Sequence, residues 1–307
     1  MQLQAKHVIC EVSTPLGVDE SAVLAWKERR ARFAKVDQET KVEMLQAASR
    51  VIRGHVLTTI NGAGLGHVGG DLSVTDILVT LYEGVLNLDP SNWSWANRDR
   101  FILSKGHCAA ALYSVLSNCG YFSSDRLQHF AKDLSPLNGH PNRRKIPGVE
   151  TNTGPLGHGL PVAVGCATAS QITGLQFRTY AVVGDGELQE GSNWEAAMYA
   201  AQRKLGSLTL VVDRNRLQQG ASTADTNDLE PLADKWTAFG WETHVIDGHS
   251  HEALLKLLSM APGDRPRAVI ANTVKGKGVS FMENGVEWHH KVPSADEYEA
   301  AMKEVAA

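Results

Sequence analysis

Between residues 178 and 272 the chain repeats one pattern: a short apolar run, an amphipathic stretch, then another short apolar run. Residues 178–183, 208–213, 243–246 and 267–272 read as strands, and 193–205, 232–239 and 252–258 as the helices between them. Such an alternation can bury its apolar faces in one body only as a parallel sheet joined by right-handed crossovers. The predicted fold class is therefore α/β: a doubly wound, mostly parallel sheet with helices on both faces.

Upstream, apolar residues recur at helical spacing over 40–60 (Val42, Leu45, Val51, Ile52, Val56) until Asn61-Gly62 stops the pattern. A glycine-rich loop leads into a helix over 72–85, RDRFILSKGH reads as a buried strand with a polar turn, and Gly174 closes a helix over 160–173. Residues 138–159, dense in Gly, Pro and His, read as loop. No repeat or linker divides the chain, so 38–307 is expected to be a single domain. Residues 1–37 read as an N-terminal extension, with Lys27-Glu28-Arg29-Arg30 on a solvated helix face.

A chain of 307 residues is ample for such a core, and its formal charge of −4 lacks the basic excess of a nucleic-acid footprint. The four cysteines (Cys10, Cys108, Cys119, Cys166) are scattered, without CxxC spacing, as reduced thiols are. No run approaches the ~18 apolar residues of a membrane span, and no basic-then-apolar leader opens the chain. A cytoplasmic location is expected.

Two consecutive strands end on oxygen-bearing residues: the first on Gly184-Asp185-Gly186, the second before Asn215. Either residue alone is better explained by turn chemistry. Together, with one helix between their strands, they meet if the strands are neighbours, because ligands of open parallel sheets sit beyond the carboxyl ends of the strands. One carboxylate, one amide and a nearby carbonyl make a weak oxygen cage, the kind Mg²⁺ completes with water and phosphate oxygens. Gly184 and Gly186 allow close approach of the backbone. The intervening helix has Trp194, Ala197, Met198, Ala201 and Leu205 as its expected apolar stripe.

GDG, about thirty residues, then Asn resembles the diphosphate-binding signature of thiamine diphosphate enzymes. Further stretches, in order, extend the likeness: GHVGGDLSVTDIL, RDRFILSKGHCAAALY, GHPNRRKIPGVETNTGPLGHGLPVAVG, GDGELQEGSNWEAA with VVDRNRLQ, and VKGKGVSFMENGVEWHH. From about 40 to 293 the chain resembles the N-terminal, cofactor-diphosphate half of the transketolase family. The resemblance implies that Asp185, Asn215 and the Leu217 carbonyl hold a divalent cation, Mg²⁺ or in its place Ca²⁺ or Mn²⁺. It implies that His107, Gly154, Pro155, Leu156, Gly186, Asn215, Lys275 and His289 contact thiamine diphosphate. His67, His107, His140 and His289 would surround the reacting carbon and the sugar hydroxyls, a task suited to a group titrating near neutrality. Glu190 falls where the family has a buried carboxylate communicating with the partner's active site. Four positions depart from the family pattern: Val68 for proline, Cys108 for alanine, His158 for glutamine and His290 for glycine. His158 and His290 would add imidazoles near the cofactor or substrate entrance; Cys108 reads as small-residue packing.

Full-length members continue with a pyrimidine-binding domain and a smaller C-terminal one, for which these residues hold no second doubly wound segment. The expectation is a split transketolase, this chain pairing with a separately encoded C-terminal subunit, as α₂β₂, to move a two-carbon ketol unit from a ketose phosphate to an aldose. Other readings are the alpha chain of a 2-oxo-acid dehydrogenase, against which the four histidines and KGKGVSF argue, and a non-catalytic paralogue, against which the intact Asp185, Gly186 and Asn215 argue. A phosphate-handling Mg²⁺ enzyme unrelated to thiamine is supported by the metal residues alone.

Overall fold

The computed structural model describes residues 16–306; the first part of the expected extension, residues 1–15 with Cys10, lies outside the described residues. The helices are α1 (Glu20–Phe33), α2 (Gln38–Ala63), α3 (Val68–Val79), α4 (Ala109–Asn118), α5 (Gly159–Thr173), α6 (Gly191–Gln202), α7 (Thr223–Asn227), α8 (Leu232–Ala238), α9 (His251–Leu258) and α10 (Ala295–Ala306). The strands are β1 (Arg100–Leu103), β2 (Thr179–Gly184), β3 (Leu208–Arg214), β4 (Glu242–Asp247) and β5 (Arg267–Asn272). They form a sheet of order β1-β2-β3-β5-β4 in which every pairing is parallel.

Alternate residues of each central strand feed separate cores, as a period of two requires. Tyr180, Val182, Val211 and Val269 pack with residues of α2, α3, α4 and α9 on one face. Ala181, Val183, Leu210, Val212 and Ile270 pack with residues of α5, α6 and α8 on the other. α3 is buried along its whole length. Leu72, Val74, Ile77, Leu78 and Val79 are each at most 1% exposed, burial that stabilises the fold by about 1.5–3 kcal/mol per large aliphatic side chain.

Three local expectations are corrected. The helix over 40–60 runs past Asn61-Gly62 to Ala63, and its cap is Gly64, left-handed at φ 70°, whose N–H returns to the Ile60 carbonyl. Asn61 and Gly62 are tolerated because the buried face, from Leu45 to Ile60, already holds the helix. On α6 the buried face is Asn193, Ala196, Ala197 and Ala200, whereas Met198 is 55% exposed. Small residues face inward there because α6 packs closely on α5. Finally, the solvated face expected around Lys27–Arg30 is only one side of α1. The other side buries Val23, Trp26 and Phe33, while Arg29 pairs with Glu83 at 3.0 Å and Arg30 donates to the carbonyls of Tyr82 and Leu86.

Candidate active site at the carboxyl end of the sheet

The polar turns that follow β1, β2, β3 and β5 meet at one end of the sheet. β2 and β3 are neighbours, with Gly184 opposite Asp213, so Asp185 and Asn215 sit at adjacent strand tips. They are tied together by the turn that follows Asn215: Asp185 Oδ2 accepts from the Arg216 N–H at 2.5 Å and Asn215 Oδ1 from the Leu217 N–H at 3.1 Å. Arg216 makes this turn in the left-handed region, φ 64°, at a cost of order 1–3 kcal/mol for a non-glycine residue. The second Asp185 oxygen accepts from the Gly186 N–H at 2.9 Å. Asp185 is 3% exposed, and burial raises its pKa to about 6.

A buried carboxylate with backbone N–H groups as partners, beside an amide oxygen and the Leu217 carbonyl, is a donor set that a hard dication would complete. Asp185, Asn215 and Leu217 therefore fit the expected cation. They line, with Gly186, Gly154, Leu156 and Lys275, a cavity of about 480 Å³. Lys275 is held over it by a folded loop: the Val274 N–H donates to His249 at 2.8 Å, the Gly276 N–H to the Gly69 carbonyl at 2.9 Å, and Arg53 to the Lys277 carbonyl at 2.9 Å. The approach of α3 to this loop needs a glycine, since a Cβ on Gly69 would lie 2.9 Å from Lys275 Cγ and 3.0 Å from the Trp288 carbonyl oxygen. Burial, then the nearby Lys105, lowers the Lys275 pKa to about 8, so an anion at its ammonium would be welcome.

The histidines close the other wall. His67 precedes α3, His107 follows β1, and His289 ends a short turn, Val286–His289. The His67 ring lies 5.0 Å from His107, 5.4 Å from His289 and 6.5 Å from His140, between centroids. Burial, then neighbouring positive groups, lowers His67 to about 4 and His289 to about 3 and holds His107 well below its usual value. His140 is lowered by burial alone. At neutral pH these are uncharged imidazoles, each able to donate at one nitrogen and accept at the other.

Not every expected residue reaches the cavity. Pro155, His158 and His140 are exposed and outside its lining, His140 lying 6.5 Å from His67 between ring centroids. His290 does line it, beside His67 at 4.5 Å between rings. Glu190 is exposed at the rim, at the N-terminus of α6; the buried glutamate of this turn is Glu187, which accepts from Ser104, from the Gly157 N–H at 2.9 Å and from the Gly184 N–H at 3.1 Å. Cys108 is fully buried, and burial pushes its thiol well up, as inert packing requires. At the floor of the cavity, where Lys105 is part of the lining, lies a cluster whose pairing the motifs do not mark: Asp213 accepts from Lys105, Ser73 and Thr273, all buried. Lys105 lies within RDRFILSKGH, two residues from His107, where the histidine is the more conspicuous signal.

Such a cleft, with cation-type oxygen donors, a lysine and neutral histidines at the carboxyl end of a parallel sheet, defines a diphosphate-binding α/β protein. Residues 44–306 match the family model described as transketolase, thiamine diphosphate binding domain, and the chain belongs to the transketolase family. It is 47% identical, over 86% of its length and 96% of the relative's, to an apulose-4-phosphate transketolase subunit of Actinobacillus succinogenes. It is 40% identical, over 85% of its length and 96% of the relative's, to a 6-deoxy-6-sulfo-D-fructose transketolase subunit of a Clostridium species. The solved transketolase of Campylobacter jejuni superposes with a TM-score of 0.81 at 30% identity, over 86% of this chain and 43% of that one. Among the described residues no helix is long and apolar enough to cross a membrane.

Proposed function

We propose that the chain is the diphosphate-binding subunit of a two-chain transketolase, moving a two-carbon ketol unit from a ketose phosphate to an aldose acceptor in the cytoplasm. The observation that carries this is the meeting of Asp185, Asn215 and the Leu217 carbonyl beneath Lys275 and a wall of neutral histidines. Residues 38–307 form the thiamine diphosphate-binding domain in this reading, and the pyrimidine-binding and C-terminal domains reside on a separately encoded partner, in an α₂β₂ assembly. Two relatives of matching extent whose names call them subunits support that arrangement.

Asp185, Asn215 and Leu217 would hold the cation, for which magnesium is the natural choice among hard dications. Gly186, the Gly154–Leu156 loop, His107 and Lys275 would face the diphosphate and thiazolium portions. When bound, thiamine diphosphate supplies a carbon able to hold the electron pair released when the ketose carbon–carbon bond breaks. His67, His107 and His289, kept uncharged by burial, and the exposed His140 would hydrogen-bond the sugar hydroxyls and accept or return a proton at a ring nitrogen. Glu190, exposed at the rim, would face the partner chain.

Reconstitution tests this. The chain mixed with its partner, thiamine diphosphate and Mg²⁺ should transfer glycolaldehyde units between sugar phosphates, and the chain alone should not. Turnover of xylulose 5-phosphate with ribose 5-phosphate by the purified chain, with no second protein, would overturn the two-chain reading. Decarboxylation of a 2-oxo acid in place of transfer would overturn the transketolase reading.

A further inference from the structure

His290 has no part in that reading, yet it stands with two histidines that do. His67, His289 and His290 each offer a ring nitrogen, and the three nitrogens lie within 4.8 Å of one another. Their rings are 4.5 Å (His67–His290), 4.6 Å (His289–His290) and 5.4 Å (His67–His289) apart between centroids. A tetrahedral ion with metal–nitrogen bonds of about 2.0–2.1 Å sets its nitrogens roughly 3.4 Å apart. Closing the triangle to that spacing takes a turn of the exposed His290 toward the other two and a rotation of the half-buried His67 and His289 rings toward each other.

We propose that His67, His289 and His290 form a binding site for a transition-metal dication of the zinc class, distinct from the oxygen-donor set of Asp185, Asn215 and Leu217. An all-imidazole set favours Zn²⁺, Co²⁺, Ni²⁺ or Cu²⁺ over magnesium, which prefers oxygen. Two rings are half-buried and the third is exposed, so the set is reached from solvent on the His290 side. Three ligands leave a position open for water or for an oxygen of whatever fills the cleft. The Lys275 ammonium donates to His289 Nδ1 at 2.7 Å, so an ion at that ring displaces this hydrogen bond, and the ammonium charge opposes a dication; both keep the site weaker than a structural zinc centre. Because His67 and His289 also wall the 480 Å³ cavity, an ion held by them withdraws both rings from any other ligand there.

Cobalt is the probe, since its visible absorption reports nitrogen ligation where zinc is silent. The full-length chain, freed of metal, is titrated with Co²⁺ in excess Mg²⁺, alongside His290→Gly, His290→Asn and Asp185→Ala. One tight absorbing Co²⁺ per chain, displaced by Zn²⁺ and retained in Asp185→Ala, is expected. Both His290 variants should weaken it by at least about 100-fold, the upper end of what losing even a supporting partner of a ligand costs. Having two substitutions at an exposed position guards against one that misfolds. Absence of the absorption in the parent chain, its persistence in the His290 variants, or its loss in Asp185→Ala would each overturn the assignment.

Discussion

Lys105 Nζ lies 2.5 Å from Asp213 Oδ2, an ion pair from which solvent is excluded: Lys105 is 2% exposed and Asp213 is fully buried. Asp213 is the penultimate residue of β3 and Lys105 follows β1, so the pair spans β2 at the cleft floor. Burial opposes charge on Lys105, but the Asp213 carboxylate more than offsets it and holds the ammonium well above its usual range. Ser73 and Thr273 donate to the same carboxylate, which leaves the pair well satisfied.

Lys105→Met should destabilise the chain by about 3–5 kcal/mol, because it leaves a buried carboxylate without its countercharge. Urea unfolding measures this. A change below about 1 kcal/mol, the range of an exposed ion pair, would show that water reaches Asp213.

Asp185→Ala should abolish magnesium-dependent binding of thiamine diphosphate while the chain stays folded. Near pH 8 the metal-free variant should be no less stable than the parent, since the folded parent then holds a buried, charged carboxylate without a cation. Calorimetric titration and thermal unfolding together check both halves; undiminished binding would remove Asp185 from the cation site.

The pH dependence follows from the same residue. Burial raises Asp185 from 3.8 to about 6, so the folded metal-free chain prefers the protonated form. That contribution to stability is fully present below the unfolded value and is lost as pH rises through about 6. A dication needs the carboxylate, so its binding should release a proton and weaken by up to about tenfold per pH unit below about 6. Titrations between about pH 5 and 8, in buffers of differing ionisation enthalpy, would expose an affinity that stays flat and so contradict the coupling.

Trp26→Ala should cost about 3–5 kcal/mol, as truncation of a buried aromatic does. Trp26 is 3% exposed, and its indole N–H donates to the Tyr82 carbonyl at 3.3 Å. Thermal unfolding of this variant asks whether α1 is integral to the fold; an unchanged midpoint would make it a loose appendage.

The sheet is legible in the sequence because its signals are local. Strand-length apolar runs separated by amphipathic helices leave few arrangements, and GDG with Asn215 marks two strand tips that pairing then brings together. What escapes is non-local. Lys105 and Asp213 are 108 positions apart, and nothing in their spacing pairs them. Glu187 and Glu190 flank the same turn, yet one is buried and the other exposed, because the Ser104 hydroxyl and two backbone N–H groups capture the first. Met198 reads as inward-facing from its hydrophobicity, although α6 meets α5 through alanines. α1 is masked by its charges, since Trp26 and Phe33 are sparse among arginines that themselves reach back to backbone carbonyls.

The two-sided burial of β2 has a bearing on how this protein will fail. Tyr180 and Val182 belong to one interior and Ala181 and Val183 to the other, so sliding β2 one step past β3 would thrust a tyrosine ring into room shaped for an alanine. The strand is thus latched in place by side chains that touch no ligand. Damaging substitutions should gather there, remote from the chemistry, where a slightly wrong volume nudges the two tips out of alignment.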